Sequence, residues 1–272
     1  MLSFAGASNS PEFVPQPDAR DWVASAIAQL APKLGPAASR PQLLTDASEI
    51  GFGRRTPGDL DGLFDMICGV QEVIGQEDVE LTLVELDRSA PKLPDSYASL
   101  GDSNGKLLHT LRGPDEYVVL FTPAVFKVRE LMLAAIAREL GRMALDIAGM
   151  QPVLDEDKPQ EALMQWEADS EIAAVMLGMG IWVANGSYMF ENSCCGGGCG
   201  VDLRSLRAGL TMPEACYALA LDSQRKGLRR RSVVRHLQPT QKSATKQCWS
   251  SVGRSTPPAL AAAEPAVRGM LT

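Results

Sequence analysis

The chain has 272 residues, of which 45% are hydrophobic and 22% are charged. These proportions are typical of a globular protein, and they exclude pervasive disorder and a fibrous repeat. The sequence has neither an apolar run long enough to span a membrane nor a secretory signal pattern, so we expect a cytoplasmic protein with no membrane contact.

Charge is unevenly distributed along the chain. The formal net charge is −7, yet residues 223–272 contain ten Lys and Arg and only one acidic residue. This basic part can dock on the acidic remainder, or it can bind an anionic partner such as nucleic acid. Charge alone does not choose between the two.

The first 58 residues are rich in Pro, Ser, Ala and Gly, with one helical pattern over 18–30. This composition predicts a loosely structured N-terminal lead-in before a first firm helix over 59–75. Alternating apolar and polar residues predict a strand over 78–87. Two more strands, over 107–111 and 117–121, flank the turn residues Arg112-Gly113-Pro114-Asp115, which predict a hairpin.

Two long helices follow the predicted hairpin. The first covers 126–148 and ends before Gly149, and the second covers 160–183. Strand, hairpin and helices in this order predict an α+β fold. We expect a main domain over 59–190, a Cys/Gly loop and basic helical module over 191–248, and a disordered tail over 249–272. The short helices of the module are predicted over 202–208, 213–225 and 230–237.

The first long helix carries the segment Arg138-Glu139-Leu140-Gly141-Arg142. In gluzincins, HExxH places two zinc-binding histidines on one helical face, with the glutamate as general base and a later glutamate as third ligand. The segment resembles this motif with arginine at both histidine positions, and the alternative is a solvated helix face that carries Arg138, Glu139 and Arg142 at i,i+4 spacing. Trp166-Glu167-Ala168-Asp169 resembles the Glu-Ala-Asp element of gluzincins such as the ImmA/IrrE-type family, so Glu167 falls at the third-ligand position.

This resemblance covers about 75–185 and implies a zincin-like fold, with a small mixed sheet packed on the motif helix and on the second long helix. Zinc peptidase activity is not expected, because arginine stays protonated and has no lone pair for a metal. We therefore expect a pseudoenzyme without a catalytic residue or cofactor. Its vestigial motif positions are Arg138, Glu139, Arg142 and Glu167.

The resemblance also suggests what replaces the metal. If the helices pack as in the family, the guanidinium groups of Arg138 and Arg142 occupy the space of the zinc ion. They would then form ion pairs with Glu167, with Glu139 as a further candidate.

Three functions remain open from the sequence. The first is binding of a protein or peptide that adds a strand to an exposed sheet edge. Zincins place such an edge before the motif helix, which here corresponds to Tyr117, Val118, Val119, Leu120 and Phe121. The second is nucleic-acid binding, and the third is hydrolysis by an unrecognised site that involves Glu139 and a cysteine loop.

The cysteine loop contains Cys194, Cys195 and Cys199 among glycines. Thiolates can bind zinc, with Cys216 as a further ligand, but the spacing is not the paired CxxC of zinc ribbons. The alternative is a flexible loop of reduced thiols, so the loop is a weak metal candidate.

The basic segment 225–237 resembles the turn and second helix of a helix-turn-helix unit. Gly227 would lie in the turn, while Val233 and Leu237 would face inward. Pro239 limits the length of the second helix. The candidate nucleic-acid contacts are Arg229, Arg230, Arg231 and Arg235, and the alternative is a helix that docks on the acidic body.

Overall fold

A computed structural model describes residues 13–53, 55–86, 96–101, 106–152, 159–191 and 209–253. The fold is α+β, as the sequence predicts, with a small mixed sheet beside a larger body of helices that pack on one another. The helices are α1 (Pro17–Leu34), α2 (Leu60–Ile74), α3 (Arg129–Ile147), α4 (Pro159–Ala174), α5 (Gly180–Glu191), α6 (Met212–Arg225), α7 (Arg230–Val234) and α8 (Pro239–Val252). The strands are β1 (Leu81–Glu85), β2 (Ala98–Ser99), β3 (Leu108–Arg112) and β4 (Tyr117–Phe121). No helix of the described ranges is long and apolar enough to cross a membrane.

The described strands form one sheet in the order β1-β4-β3-β2. The predicted hairpin is confirmed, because β3 and β4 pair antiparallel with Leu108 opposite Phe121 and Arg112 opposite Tyr117. The strand expected over 78–87 is shorter and pairs parallel with β4. The turn residues fixed the hairpin register, whereas the parallel partner of β1 lies more than thirty residues away along the chain.

The prediction that Tyr117, Val118, Val119, Leu120 and Phe121 form an exposed edge is wrong. Their strand, β4, lies between β1 and β3 and has a hydrogen-bonded neighbour on each side. Pairing with β1 covers the backbone groups that an edge would expose to a partner. Among the described strands, β1 and β2 form the edges of the sheet.

Helix α2 begins and ends with the capping groups that its sequence provides. The side chain of Asp59 accepts a hydrogen bond from the backbone N–H of Gly62 at 2.9 Å. Gly75 follows the helix with φ of 78°, a left-handed conformation that glycine adopts readily. These caps confirm the helix predicted over 59–75.

Helix α3 lies at the centre of the molecule. All of its residues from Leu131 to Asp146 are buried, including those at the motif positions. The helix packs against β3 on one side and against α4 and α5 on others. Its polar residues are therefore internal rather than part of a solvated face.

The second long helix is interrupted, in contrast to the continuous helix predicted over 160–183. A π-helical turn, Val175–Met179, separates α4 from α5, and Gly178 inside it has φ of 96°. The carbonyl of Gly178 accepts a hydrogen bond from the backbone N–H of Leu44 at 2.8 Å. The carbonyl of Gly178 therefore bonds to the N-terminal part of the chain, whereas in a regular α-helix it would accept a hydrogen bond within the helix.

The N-terminal part is more ordered than the loose lead-in that we expected. Helix α1 buries Val23 and Ile27 completely and Leu30 almost completely, and it packs against α6. Leu44, in the segment that follows, is also fully buried. The helical spacing of these few apolar residues outweighs the Pro- and Ala-rich composition around them.

The C-terminal helices belong to the same hydrophobic core as α1 and α3. A capping box of Thr211 and Glu214 starts α6, in agreement with the helix predicted over 213–225. The helix predicted over 230–237 is shorter, because α7 ends at Val234. Residues 249–252 belong to α8 rather than to a disordered tail. The expected helix over 202–208 and the rest of the tail lie outside the described residues.

Candidate functional site

Helices α3 and α4 approach each other closely at Gly141. A Cβ atom at this position would lie 2.2 Å from the carbonyl oxygen of Ser170, so only glycine fits. This contact brings the face of α3 that carries Arg138 and Arg142 against the face of α4 that carries Glu167. The predicted juxtaposition of the motif residues is therefore present in the structure.

Arg142 lies between two carboxylates. Its Nη1 is 2.7 Å from Oε2 of Glu139, and its Nη2 is 2.7 Å from Oε1 of Glu167. The side chain is completely buried. The two ion pairs expected of this residue, with Glu167 and with Glu139, are both confirmed.

Arg138 has a principal partner that the sequence analysis missed. Its Nη2 and Nε donate to Oε1 of Glu171 at 2.5 and 2.8 Å, while its Nε lies 3.8 Å from Oε2 of Glu167. Glu171 follows Glu167 by four residues on a helix, so helical spacing places the two carboxylates on the same face. That spacing was the available signal for Glu171.

Lys106 is the third cation of the site. Its Nζ is 2.8 Å from Oε2 of Glu167, and its side chain is 3% exposed. It lies two residues before β3, and nothing in its local sequence indicates an internal position. We call the set of six charged side chains the ion network. Its members are Lys106, Arg138, Glu139, Arg142, Glu167 and Glu171.

Within the described part of the chain, the ion network is balanced in charge, since three cations face three carboxylates. Every member has a side-chain exposure of 7% or less. Neutral donors complete it: Oε2 of Glu139 accepts from the backbone N–H and the side-chain hydroxyl of Thr110, and Oε2 of Glu171 accepts from the backbone N–H of Leu210. Buried charges need this kind of pairing because their transfer from water is costly.

Leu100 and Gly101, which follow β2, lie over the ion network. The indole Nε1 of Trp166 donates to the carbonyl of Leu100 at 3.1 Å. A Cβ atom at Gly101 would lie 3.1 Å from Oε1 of Glu167 and 3.6 Å from Cζ of Arg142. The backbone of Gly101, with φ of 135°, therefore lies directly on the paired groups.

The ion pairs set the protonation of the network. Burial alone would raise the pKa of Glu167, but Arg142 and Lys106 outweigh it and hold the pKa below its usual value. Burial and the charge of Arg138 lower the pKa of Lys106, against the effect of Glu167. Burial disfavours the charged form of Arg138, yet Glu171 and Glu167 raise its pKa. Glu167 is thus ionised at neutral pH.

These residues do not fit a zinc ion. Guanidinium groups have no lone pair to donate, and the carboxylates that would serve as ligand and general base accept hydrogen bonds from cations instead. Within the described ranges, no group of three or more His, Cys, Asp and Glu side chains is arranged to hold a metal. The network has the chemistry of an internal cross-link.

His109 lies on β3 and is buried. Its Nε2 is 2.7 Å from the hydroxyl of Ser99, whereas its Nδ1 has no hydrogen-bond partner among the described residues. Burial lowers the pKa of His109, although Glu139 opposes this effect. The imidazole is therefore neutral at neutral pH.

The basic segment divides into buried and exposed parts. Arg225 and Lys226 both pair with Asp222, and Lys226 also donates to the carbonyl of Met176 in the π-helical turn. The structure places Gly227 in the predicted turn, with φ of 70°, and buries Val233 and Leu237 as expected. The four candidate nucleic-acid contacts, Arg229, Arg230, Arg231 and Arg235, are exposed.

The cysteine prediction is largely untested, because Cys194, Cys195 and Cys199 lie outside the described residues. Cys216 is buried beneath α8, with its Sγ 3.8 Å from the carbonyl of Gln241. Cys68, Cys216 and Cys248 are present as thiols.

No protein-family model, curated protein or solved structure matches this chain. The zincin-like resemblance rests on the motif residues and stays a prediction.

Proposed function

We propose that this chain is a non-catalytic, zincin-like scaffold in which the ion network replaces the catalytic metal, and that it acts by binding a protein or peptide. The observation that carries the proposal is the position of Arg142. Its guanidinium group pairs at 2.7 Å with the carboxylates at the general-base and third-ligand positions. Such pairs leave neither carboxylate available for metal-assisted hydrolysis.

The closed surroundings support the same function. A hydrolase needs an open site for substrate and water, whereas each member of the ion network is almost fully buried. A cross-linked interior without an open centre is suited to holding outer surfaces in place for a partner. A partner would then bind to outer surfaces of the protein, away from the ion network.

The proposal is tested by metal analysis of the purified protein, by thermal unfolding with and without a chelator, and by a peptidase assay. We expect no stoichiometric zinc, an unchanged melting temperature and no chelator-sensitive hydrolysis. Stoichiometric metal together with chelator-sensitive peptide hydrolysis would contradict the proposal and would favour the hydrolase alternative.

A second candidate function is nucleic-acid binding, which is favoured by the exposure of Arg229, Arg230, Arg231 and Arg235. Against it, α7 spans only five residues, which is short for a recognition helix. Retention on DNA that weakens with salt and is lost on changing Arg229, Arg230 and Arg231 to Ala would support this function. Unchanged retention in that variant would exclude these arginines.

A further inference from the structure

In the described part of the chain, the outer side of β1 is an open strand edge. β1 pairs with β4 on one side, and no described residue pairs with its other side. The N–H of Tyr117 donates to the carbonyl of Glu80, and the N–H of Leu86 donates to the carbonyl of Phe121. Since residues of a parallel strand alternate between its two sides, the backbone groups of Leu81, Leu83 and Glu85 point away from the sheet.

A groove of about 540 Å³ runs along this edge where β1 begins. Leu81 faces the core side of the sheet and its neighbour Thr82 faces the opposite side, yet both line the groove. The groove therefore reaches both faces of the sheet where β1 begins, and a strand that enters it at Leu81 could continue along the outward backbone groups of β1.

The far wall of the groove is formed by α2. Phe64 lines it and is 38% exposed, and Cys68 follows one turn later on the same face. Leu60, one turn before Phe64, is 43% exposed. An apolar stripe on a helix next to an open strand edge can receive the apolar side chains of an added strand.

The charge of the groove is strongly negative. Five carboxylates line it and no Lys or Arg does; they are Glu72, Glu77, Asp78, Glu80 and Glu116. No described lysine or arginine forms an ion pair with any of the five. Glu116 is held by hydroxyl donors, Thr82 and Tyr97, both at 2.8 Å. The acidic lining favours a cationic partner.

We propose that the groove binds an extended cationic peptide segment of a partner protein, which adds a strand to β1. The backbone of the segment pairs with Leu81, Leu83 and Glu85, its apolar side chains contact Phe64, and its Lys or Arg side chains face the carboxylates. This inference rests on the proposed function, since it names the partner class and the surface of a protein-binding scaffold.

The experiment uses the full chain and a fluorescent peptide of alternating valine and lysine, with a valine and glutamate peptide as its counterpart. We expect saturable binding of the lysine peptide only, weakened by added salt. A triple variant, Glu77→Gln with Asp78→Asn and Glu80→Gln, should weaken binding about tenfold, as three partly exposed ion pairs would. The matched control, Asp18→Asn with Asp21→Asn on α1, should leave binding unchanged.

The strand pairing is tested separately by Glu85→Pro. Its N–H points outward, so proline removes a donor for the added strand and leaves the pairing with β4 intact. We expect an unchanged melting temperature and at least fivefold weaker binding of the lysine peptide, which corresponds to about one backbone hydrogen bond. A lysine peptide methylated on alternate backbone nitrogens should bind as weakly to the unchanged protein.

Each outcome decides the inference. Equal binding of both peptides, no binding of the lysine peptide, or binding unaffected by both the triple variant and Glu85→Pro overturns the groove assignment. Self-association that is abolished by Glu85→Pro would identify the occupant as a second copy and also overturn it. None of these outcomes bears on the metal and chelator measurements, which test the proposed function on their own.

Discussion

At the scale of single residues, Glu167 contacts three cationic side chains, more than any other carboxylate among the described residues. It pairs with Arg142 and Lys106 and lies 3.8 Å from Arg138. We predict that Glu167→Ala lowers the free energy of unfolding by about 3 to 5 kcal/mol, because it leaves buried positive charge without its partner. Chemical denaturation measures the effect. Gln165→Ala, exposed on the same helix, should change it by no more than about 0.5 kcal/mol. An equal effect of both would show that the ion network is not a stabilising cross-link.

His109 gives the protein a predictable response to pH. Because burial lowers its pKa from the usual 6.5, the unfolded chain binds more protons than the folded chain below that pH. The free energy of unfolding should therefore fall as the pH drops below about 6.5, by up to about 1.4 kcal/mol per pH unit for this group. His109→Gln should remove that part of the slope in denaturation curves measured between pH 7 and 5.

The other histidine serves as the control. The pKa of His236 is lowered as well, by burial and by Arg235, but its side chain is more accessible. His236→Gln should therefore keep most of the slope. A loss of slope in this variant alone would assign the response to His236.

The motif shows how far residue-level prediction extends. The spacing of Arg138, Arg142 and Glu167 predicted their meeting, since helical periodicity and a recognised pattern fix which faces approach. Lys106 was not predictable in the same way. Its role depends on where the chain before β3 crosses α4, and a charged residue in a connecting segment is exposed in most proteins.

At the scale of elements, the pairing of α3 and α4 depends on Gly141. We predict that Gly141→Ala lowers the free energy of unfolding by about 1 to 3 kcal/mol, because the new methyl group would overlap the backbone of Ser170. The melting temperature of Gly58→Ala provides the comparison, since a Cβ atom there meets no other atom within 4 Å. Equal stability of the two variants would mean that the helices can separate without cost.

The two helices also allow a direct test of the zincin hypothesis. In Arg138→His with Arg142→His, two imidazoles replace two positive charges, and a zinc ion restores both charges while Glu167 completes the ligand set. We predict about one zinc ion per chain by elemental analysis and a melting temperature that rises with zinc. Arg138→Gln with Arg142→Gln is the matched control without imidazoles. Zinc content no higher than in this control would count against zincin-like spacing.

The hairpin and the boundaries of α2 followed from local signals, while the sheet order did not. Asp59 and Gly75 cap α2 within the predicted range, and the turn before Tyr117 set the register of β3 and β4. β1 and β4 pair parallel and are not joined by a tight turn, so no local sequence signal predicts their pairing. The zincin resemblance predicted β4 as an edge, and no local signal in the sequence indicated that β1 would cover it.

At the scale of the whole molecule, one hydrophobic core extends from α1 to α8. We predict that Ile27→Ala on α1 costs about 2 to 5 kcal/mol of unfolding free energy, as expected for a fully buried isoleucine. The exposed neighbour Gln29→Ala should cost less than about 0.5 kcal/mol. Both are measured by denaturant unfolding. Similar losses of unfolding free energy in the two variants would support the loosely structured N-terminal part that the composition predicted.

The charge balance of the ion network also constrains how such a protein can evolve. Because three cations cancel three carboxylates, replacing any one member leaves an unmatched buried charge. If the proposed zincin ancestry holds, single changes from histidine to arginine would pass through intermediates with an unmatched buried charge, whereas changing both positions together would avoid them. The same cost opposes the reverse change, so no single substitution would restore a metal site in this interior.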